Sequence, residues 1–395
     1  MIRYYQIRSP LSHTSEESTA RYIASLQTAL GEELCGVGLE KYLSAKFALL
    51  YVATGGSEGY FLQIFDQLKR KRCYILTSGD ANSLAASMEI LSYLRKHGAE
   101  GEILHGSIHQ VAKQIRNLRN ACRGLDFLNG KRLGCIGKPS DWLIASDYSP
   151  DVVKDRLNLG FVSIGMEELI AEIEKNSYED NEYTLQLKNK AFACDEVEKA
   201  LCIYGAFKRL VDRYGLCGVS VRCFDLLDSV KSTGCLGLSL LNSIGVYGGC
   251  EGDMPTLLSM ALLGSATGEP VFMCNPSRFD TDTGSAVFAH CTVPVTMLRD
   301  FSLNTHFESG IGVAVQGSFD IGDCTLFKCE GDLSRFYVQE GRILDMPFSD
   351  TLCRTQIKVE LNDFSYFLTR PMNNHHVICK GRHAAEIEAL FRILK

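Results

Sequence analysis

Short apolar runs closed by glycine, serine or threonine alternate, over the first 170 residues, with stretches whose apolar positions recur every third or fourth residue. Phe47–Ala53 runs into Thr54–Gly55–Gly56, and Cys73–Leu76 runs into Thr77–Ser78–Gly79–Asp80. Behind the second run, Leu84, Met88, Leu91 and Leu94 share one helix face, and Gly98 supplies a stop. Arg132–Ile136 and Phe161–Ile164 read as further strands, the latter followed by a helical Met166–Glu174. Strands that are apolar throughout, alternating with helices, predict a parallel sheet covered on both faces.

Residues 176–187 (NSYEDNEYTLQL) are polar and without clear period, which places a domain boundary near 175. The alternation then resumes. Val197, Leu201, Tyr204, Phe207 and Val211 form a helix stripe ended by Gly215, and Val219–Phe224 reads as a strand. Gly234–Leu241 reads as helix, Gly245–Gly249 as a strand end, and Pro255–Leu263 as a helix with its proline in the first turn. Pro270–Cys274 and Ala286–His290 read as two more strands. After about residue 295 the helix signals vanish, and Thr325–Lys328, Phe336–Val338 and Gln356–Leu361 alternate or run apolar between Gly, Asp and Asn turns until a closing helix at Ala384–Leu394. The expected architecture is α/β: two doubly wound parallel-sheet domains, 1–175 and 176–298, then a C-terminal antiparallel β domain, 299–395.

The formal charge of −6 and a pI near 5.9 exclude a chain built to neutralise nucleic-acid phosphates. The densest basic run, Lys69–Arg70–Lys71–Arg72, reads as a solvated helix end. The most apolar window, Pro255–Cys274, is broken by Gly264, Thr267, Gly268, Glu269 and Pro270, so no membrane span is expected. The opening MIRYYQIRSP has no apolar core of a secretory signal. Sixteen cysteines without one CxxC pair, most of them inside apolar patterns, read as reduced, buried, small hydrophobes in a cytoplasmic protein.

Neither a P-loop nor a G-x-G-x-x-G after a strand in the first domain is present. Two small turns before helices, Thr54–Glu58 and Thr77–Asn82, could take anions or act as plain connectors. The informative run is Gly248–Gly249–Cys250–Glu251–Gly252–Asp253–Met254–Pro255, where a strand ends on glycines and two carboxylates precede a helix. Carboxyl ends of strands are where open α/β sheets bind ligands. Asp253 reads equally as a helix cap. Asn275 and His290 close the next two apolar runs, so three strand ends in succession carry polar side chains. His375 and His376 stand side by side, and on a strand only one of them can face a cleft. Arg222, after the run Val219–Val221, reads as a substrate ligand or as the ion-pair partner of Asp225. Glu308, among glycines in HFESGIG, reads as a site residue, while His306 and His383 read as surface or structural.

The run CEGDMPTLLSM, the NPS and HCTVP segments, THFESGIG, LCRTQ and the late NNHHV with a following GRH resemble the L-fucose isomerase-like proteins, with L-arabinose isomerase more distant. The resemblance covers most of the chain. It implies two Rossmann-like domains and a C-terminal β domain, manganese, open-chain sugar substrates, and homo-oligomers, trimeric or hexameric, with active sites at subunit boundaries. It also implies Glu251, His290 and His375 as metal ligands, and Asn275 where an acidic ligand falls in the family. Asn can ligate a hard cation but cannot act as a base, so Glu251 and Asp253 are the expected acid/base pair, with Asn275, Arg222 and Glu308 near the sugar. Trp142, in Pro139–Ser140–Asp141–Trp142–Leu143, resembles a family segment that could reach a neighbour's site, or simply packs. The reaction expected is aldose–ketose isomerisation of a pentose or deoxyhexose. An epimerase or lyase using related chemistry, and a non-catalytic sugar-binding protein, stay open as alternatives.

Overall fold

The computed structural model describes residues 1–10, 16–68 and 71–394, so Lys69 and Arg70 of the basic run lie outside the described residues. The chain divides into two compact units, Met1–Cys122 and Arg123–Lys395.

The first unit is a five-stranded parallel sheet of β1 (Ile2–Ile7), β2 (Leu34–Gly36), β3 (Ala48–Val52), β4 (Cys73–Leu76) and β5 (Gly101–Leu104), in the order β2-β1-β3-β4-β5. The central strands β3 and β4 are buried along their whole length, as their unbroken apolar runs require.

The second unit begins with another parallel sheet, ordered β7-β6-β8-β9, from β6 (Arg132–Ile136), β7 (Gly160–Ile164), β8 (Gly218–Val221) and β9 (Tyr247–Cys250). A closed antiparallel barrel follows. Its strands are β10 (Phe272–Asp280), β11 (Ser285–His290), β14 (Gly322–Cys329), β15 (Phe336–Asp345), β16 (Thr355–Glu360) and β17 (His376–Lys380). The hairpin of β12 (Asp300–Asn304) and β13 (Ala314–Ser318) is a separate two-stranded sheet, tied to β16 of the barrel through Thr355. The α/β class with two parallel sheets and an antiparallel C-terminal part is thus the observed fold.

The division of the chain differs from the expected one in two places. Residues 123–175 carry β6 and β7, which pair with each other and, through β6, with β8 and not with the first sheet, so the change of sheet precedes residue 175. The polar stretch taken for a linker is instead capped into the helix Glu182–Lys188 by Asn181, whose side chain accepts from the amides of Tyr183 and Thr184. That helix packs on the helix Cys194–Tyr214. Likewise β10 and β11 pair antiparallel inside the barrel. β8 also stops at Val221, and the chain turns at 222–224.

One element ties sheet and barrel together. The helix Met254–Thr267 is buried on nearly every side, packing on β8 and β9 and also on β14 and β17. A helix covered all round must be apolar all round, which is why this stretch is the most hydrophobic of the chain. Its first turn sits where β9 ends, and the candidate site is built around it.

Candidate metal centre

After Cys250 the backbone turns sharply, with Glu251 at φ 64° and Gly252 at φ 68°. A Cβ on Gly252 would lie 2.5 Å from the carbonyl oxygen of Lys138, so only glycine lets the 138–140 segment approach this closely. Glu251 holds a left-handed conformation with a side chain, a strain of about 1–2 kcal/mol that persists only where the surroundings enforce it. Part of that enforcement is the Ser140 amide, which donates to the Glu251 carbonyl at 2.9 Å. Asp253 then caps the helix, accepting from the Thr256 amide at 2.8 Å and from the Thr256 hydroxyl at 2.7 Å.

His290 ends β11 and His375 immediately precedes β17, so both come from the barrel. Their rings stand 5.5 Å apart, nearly edge to face. The ligand atoms of Glu251, His290 and His375 all lie within 4.8 Å of one another. The structure therefore brings together the three residues singled out in the sequence, and selects His375 over His376. The latter turns away and its Nε2 hydrogen-bonds Tyr366 at 2.9 Å.

The electrostatics of this trio favour a cation. Burial, reinforced by His375 and His306, pushes the His290 imidazole well below its ordinary range, so it is neutral with a lone pair to offer. His375 is fully buried, with Nδ1 2.9 Å from Asp253 Oδ2. Burial alone would raise the Asp253 carboxyl. The Lys328 charge, the bond to His375 and the Thr256 amide more than offset it and hold Asp253 below the usual carboxylate range. An ionised carboxylate only accepts, so His375 meets it with a proton on Nδ1, and Nε2 is the nitrogen left to offer a lone pair to a metal. That Nε2 is buried, has no hydrogen-bond partner among the described residues, and lies 3.8 Å from Glu251 Oε1. A lone pair facing a carboxylate is repulsive and leaves a buried polar atom unsatisfied, which costs about 1–3 kcal/mol. A positive ion between them removes both penalties. Two imidazole nitrogens and a carboxylate oxygen suit a divalent cation, so the set fits a metal ion on its own geometry.

The other expected site residues have distinct places. Asp253 is fully buried, and its two oxygens are taken by Thr256 and His375, so it holds the His375 ring and has no oxygen left free. This corrects the expected acid/base role: the cap and the second carboxylate of the motif are the same group, used from behind. Arg222 is also committed elsewhere. It donates to Asp225 at 3.0 Å, to the Pro139 carbonyl at 2.8 Å and to both oxygens of Asp141 at 3.2 and 2.8 Å. Its work is to pin the loop that carries Trp142. Asn275 pairs with Ala289, the neighbour of His290, and accepts from Asn374, the neighbour of His375, at 3.4 Å.

Trp142 belongs to this chain's own site. Its indole donates to Glu251 Oε2 at 2.6 Å while its ring packs edge-on against Phe224 at 5.0 Å. The other edge of that cluster is His306, 5.7 Å from Phe224 and buried. His306 Nε2 lies 3.9 Å from Glu308 Oε2. Partial burial and the charge of Glu251 both raise the Glu308 carboxyl. His306 is the residue the sequence reading passed over, and its signal was the pairing with Glu308 two positions on.

No family model matches the chain. Among curated proteins, a sulfoquinovose isomerase from Clostridium sp. (strain MSTE9) is 25% identical over 173 residues. The likeness covers 40% of this chain and only 37% of that protein's length.

Proposed function

We propose that the chain is a metal-dependent aldose–ketose isomerase of the L-fucose isomerase-like kind, with Glu251, His290 and His375 holding Mn²⁺ and an open-chain sugar lying against them. The observation that carries the reading is the orphaned Nε2 of buried His375 facing Glu251 across 3.8 Å. The distant likeness to a sulfoquinovose isomerase supports it.

A ketol isomerase moves a proton between C1 and C2 and must stabilise the enediolate that forms between the two transfers. When bound, a divalent cation supplies Lewis-acid polarisation of the sugar oxygens. The protein supplies the rest. Trp142 holds one oxygen of Glu251 and so fixes the orientation of that carboxylate. Asp253 fixes the ring of His375. With Asp253 enclosed, Glu308 is the carboxylate left to carry the proton between the carbons, and a raised pKa brings it nearer the working range of a general base. His306 stands beside it to take part in the oxygen-bound proton transfer.

The reading extends to a cytoplasmic homo-oligomer, trimer or hexamer. Two observations support it. Ile144 is 90% exposed and Trp142, two positions before it, about half exposed, so this loop presents two large apolar side chains to the surface, as subunit contacts do. All sixteen cysteines are free thiols. Among the described residues no helix is long and apolar enough to cross a membrane.

Metal analysis of the purified protein, then a panel of pentoses, deoxyhexoses and sulfoquinovose with added Mn²⁺, tests the proposal. About one Mn²⁺ per chain and a ketose product are expected. Bound metal with epimerised or cleaved sugar would move the reading to an epimerase or lyase. A chain that binds sugar but no metal would be a sugar-binding protein.

A further inference from the structure

Lys328 is a fully buried lysine near the end of β14, a strand of the barrel. Lysines are almost never fully buried without a counter-charge, yet among the described residues Lys328 forms no ion pair within 4 Å. Its ammonium donates to the Thr256 hydroxyl at 2.5 Å. The Thr256 hydroxyl donates to Asp253 Oδ2 at 2.7 Å, and the same oxygen meets His375 Nδ1 at 2.9 Å. Lys328, Thr256, Asp253 and His375 are all 0% exposed. The line runs without a break from β14, through the first turn of the helix Met254–Thr267, to the residue before β17.

The polarity of this line follows from donor and acceptor chemistry. An ammonium has three donors and no acceptor, so the Thr256 oxygen must accept from Lys328. Its own proton is then directed at Asp253. Asp253 is left to accept from every neighbour: the Thr256 amide, the Thr256 hydroxyl and His375. An Asp253 that only accepts requires a proton of His375 on Nδ1, and so leaves Nε2, which faces Glu251, as the nitrogen that can ligate.

We propose that Lys328 is a positioning residue for the metal centre, setting through Thr256 and Asp253 which nitrogen of His375 is free to ligate. The inference rests on the metal reading above and adds a third tier behind the ligand and its carboxylate. A lysine here also sets a positive charge one hydroxyl away from the buried carboxylate of Asp253. Groups behind a metal-bound histidine alter metal affinity by about 10- to 100-fold when removed.

The test compares the full-length chain with Lys328→Met and Thr256→Val. The second keeps the lysine and the Thr256 amide and removes only the hydroxyl relay. Mn²⁺ affinity is measured by titration, and the His375 imidazole by ¹⁵N NMR in the metal-free protein, assigned with His375→Gln. The expected result is a loss of Mn²⁺ affinity of about 10-fold or more in both variants, with the Nδ1-protonated signal of His375 weakened or shifted. Should Lys328→Met fail to fold, Thr256→Val decides. A folded Thr256→Val or Lys328→Met with wild-type affinity and a wild-type imidazole spectrum overturns the proposal. If the wild-type chain binds no Mn²⁺, it is the isomerase reading that fails, and the metal-free imidazole spectrum alone decides the part played by Lys328.

Discussion

Trp142 donates its indole N–H to Oε2 of Glu251 at 2.6 Å, while Oε1 of the same carboxylate faces His375 Nε2 across 3.8 Å. The two oxygens of Glu251 therefore have separate duties. One is held from the loop side and the other is left for whatever lies between Glu251 and the histidines. Hydrogen bonds to an ionised acceptor are about twice as strong as neutral ones, so the indole is a firm constraint on how Glu251 presents itself. Arg222 strengthens that constraint at one remove, since its bonds to Pro139 and Asp141 fix the start of the loop.

Because the chain has a single tryptophan, this contact can be watched directly. Mn²⁺ is expected to quench and shift Trp142 emission on titration, and Glu251→Gln to remove the response. Trp142→Phe keeps the packing on Phe224 but deletes the donor, and should weaken Mn²⁺ binding by about 3- to 10-fold, the worth of one charge-assisted hydrogen bond after solvent takes its place. Emission indifferent to the metal, in a protein that nonetheless binds it, would remove Trp142 from the centre.

Glu251→Gln, His290→Ala and His375→Ala should each lower Mn²⁺ affinity by at least about 100-fold, since a three-donor site has no spare ligand. Their effects on folding should differ. His375 is fully buried and His290 nearly so, which predicts lower unfolding midpoints for the alanine variants. Glu251→Gln keeps shape and relieves a repulsion, so its midpoint without metal should match or exceed the wild type. Calorimetry with and without Mn²⁺ separates the two effects.

Glu251 and His290 were legible in the sequence because each closes a strand abruptly, and such ends gather polar side chains where ligands bind; on the residues alone His375 stood level with His376, and only the family resemblance singled it out. Their convergence was legible only in part. Pro270–Cys274 and Ala286–His290 look like buried parallel strands. The barrel explains why: Met273 and Ala289 are as deeply buried as any residue of a parallel sheet. The turn between them held the missing clue. Asp280 caps it by accepting from the amides of Asp282 and Thr283 at 3.1 Å each, which marks a hairpin and hence antiparallel pairing. The regrouping of β6 and β7 left no local mark, since strand partners are chosen by long-range pairing. Lys328 was hidden for a related reason. A lysine ending an apolar strand reads as solvent-facing, and only the approach of Thr256 and Asp253 in space gives it an inward role.

Glu308→Gln separates proton transfer from metal binding. Mn²⁺ affinity should stay within about 2-fold of wild type, while turnover of whichever sugar the panel identifies falls by about 100-fold or more, the usual contribution of a general base. The pH profile gives a second reading. A base works in its ionised form, so activity is lost as pH falls through the Glu308 pKa. Partial burial and Glu251 raise that pKa, which moves the acid limb above the ordinary glutamate range. The limb should disappear from the residual activity of Glu308→Gln. A variant with an unchanged profile would show that the limb belongs to another group.

Far from the metal centre, Glu172 gives the fold a pH-dependent contribution of predictable sign. Its side chain is 4% exposed and accepts from Lys175 at 2.8 Å and Arg209 at 2.7 Å, with Arg213 as a third partner. The bonds from Lys175 and Arg209, and then Arg213, outweigh burial and hold the carboxyl down to about 2. An unfolded glutamate titrates near 4.3. The folded state thus binds this proton more weakly than the unfolded state. The stabilisation is complete above about pH 4.5 and is lost as pH falls toward 2. Lys175 and Arg213 are about half exposed, so solvent screening reduces the effect to the order of 1 kcal/mol. Urea unfolding at pH 7, 5 and 3.5 should show wild type losing stability between the last two, with Glu172→Gln less stable at pH 7 and flatter across that step. Parallel curves for the two proteins would mean that the Glu172 cluster contributes nothing to the acid sensitivity of the fold.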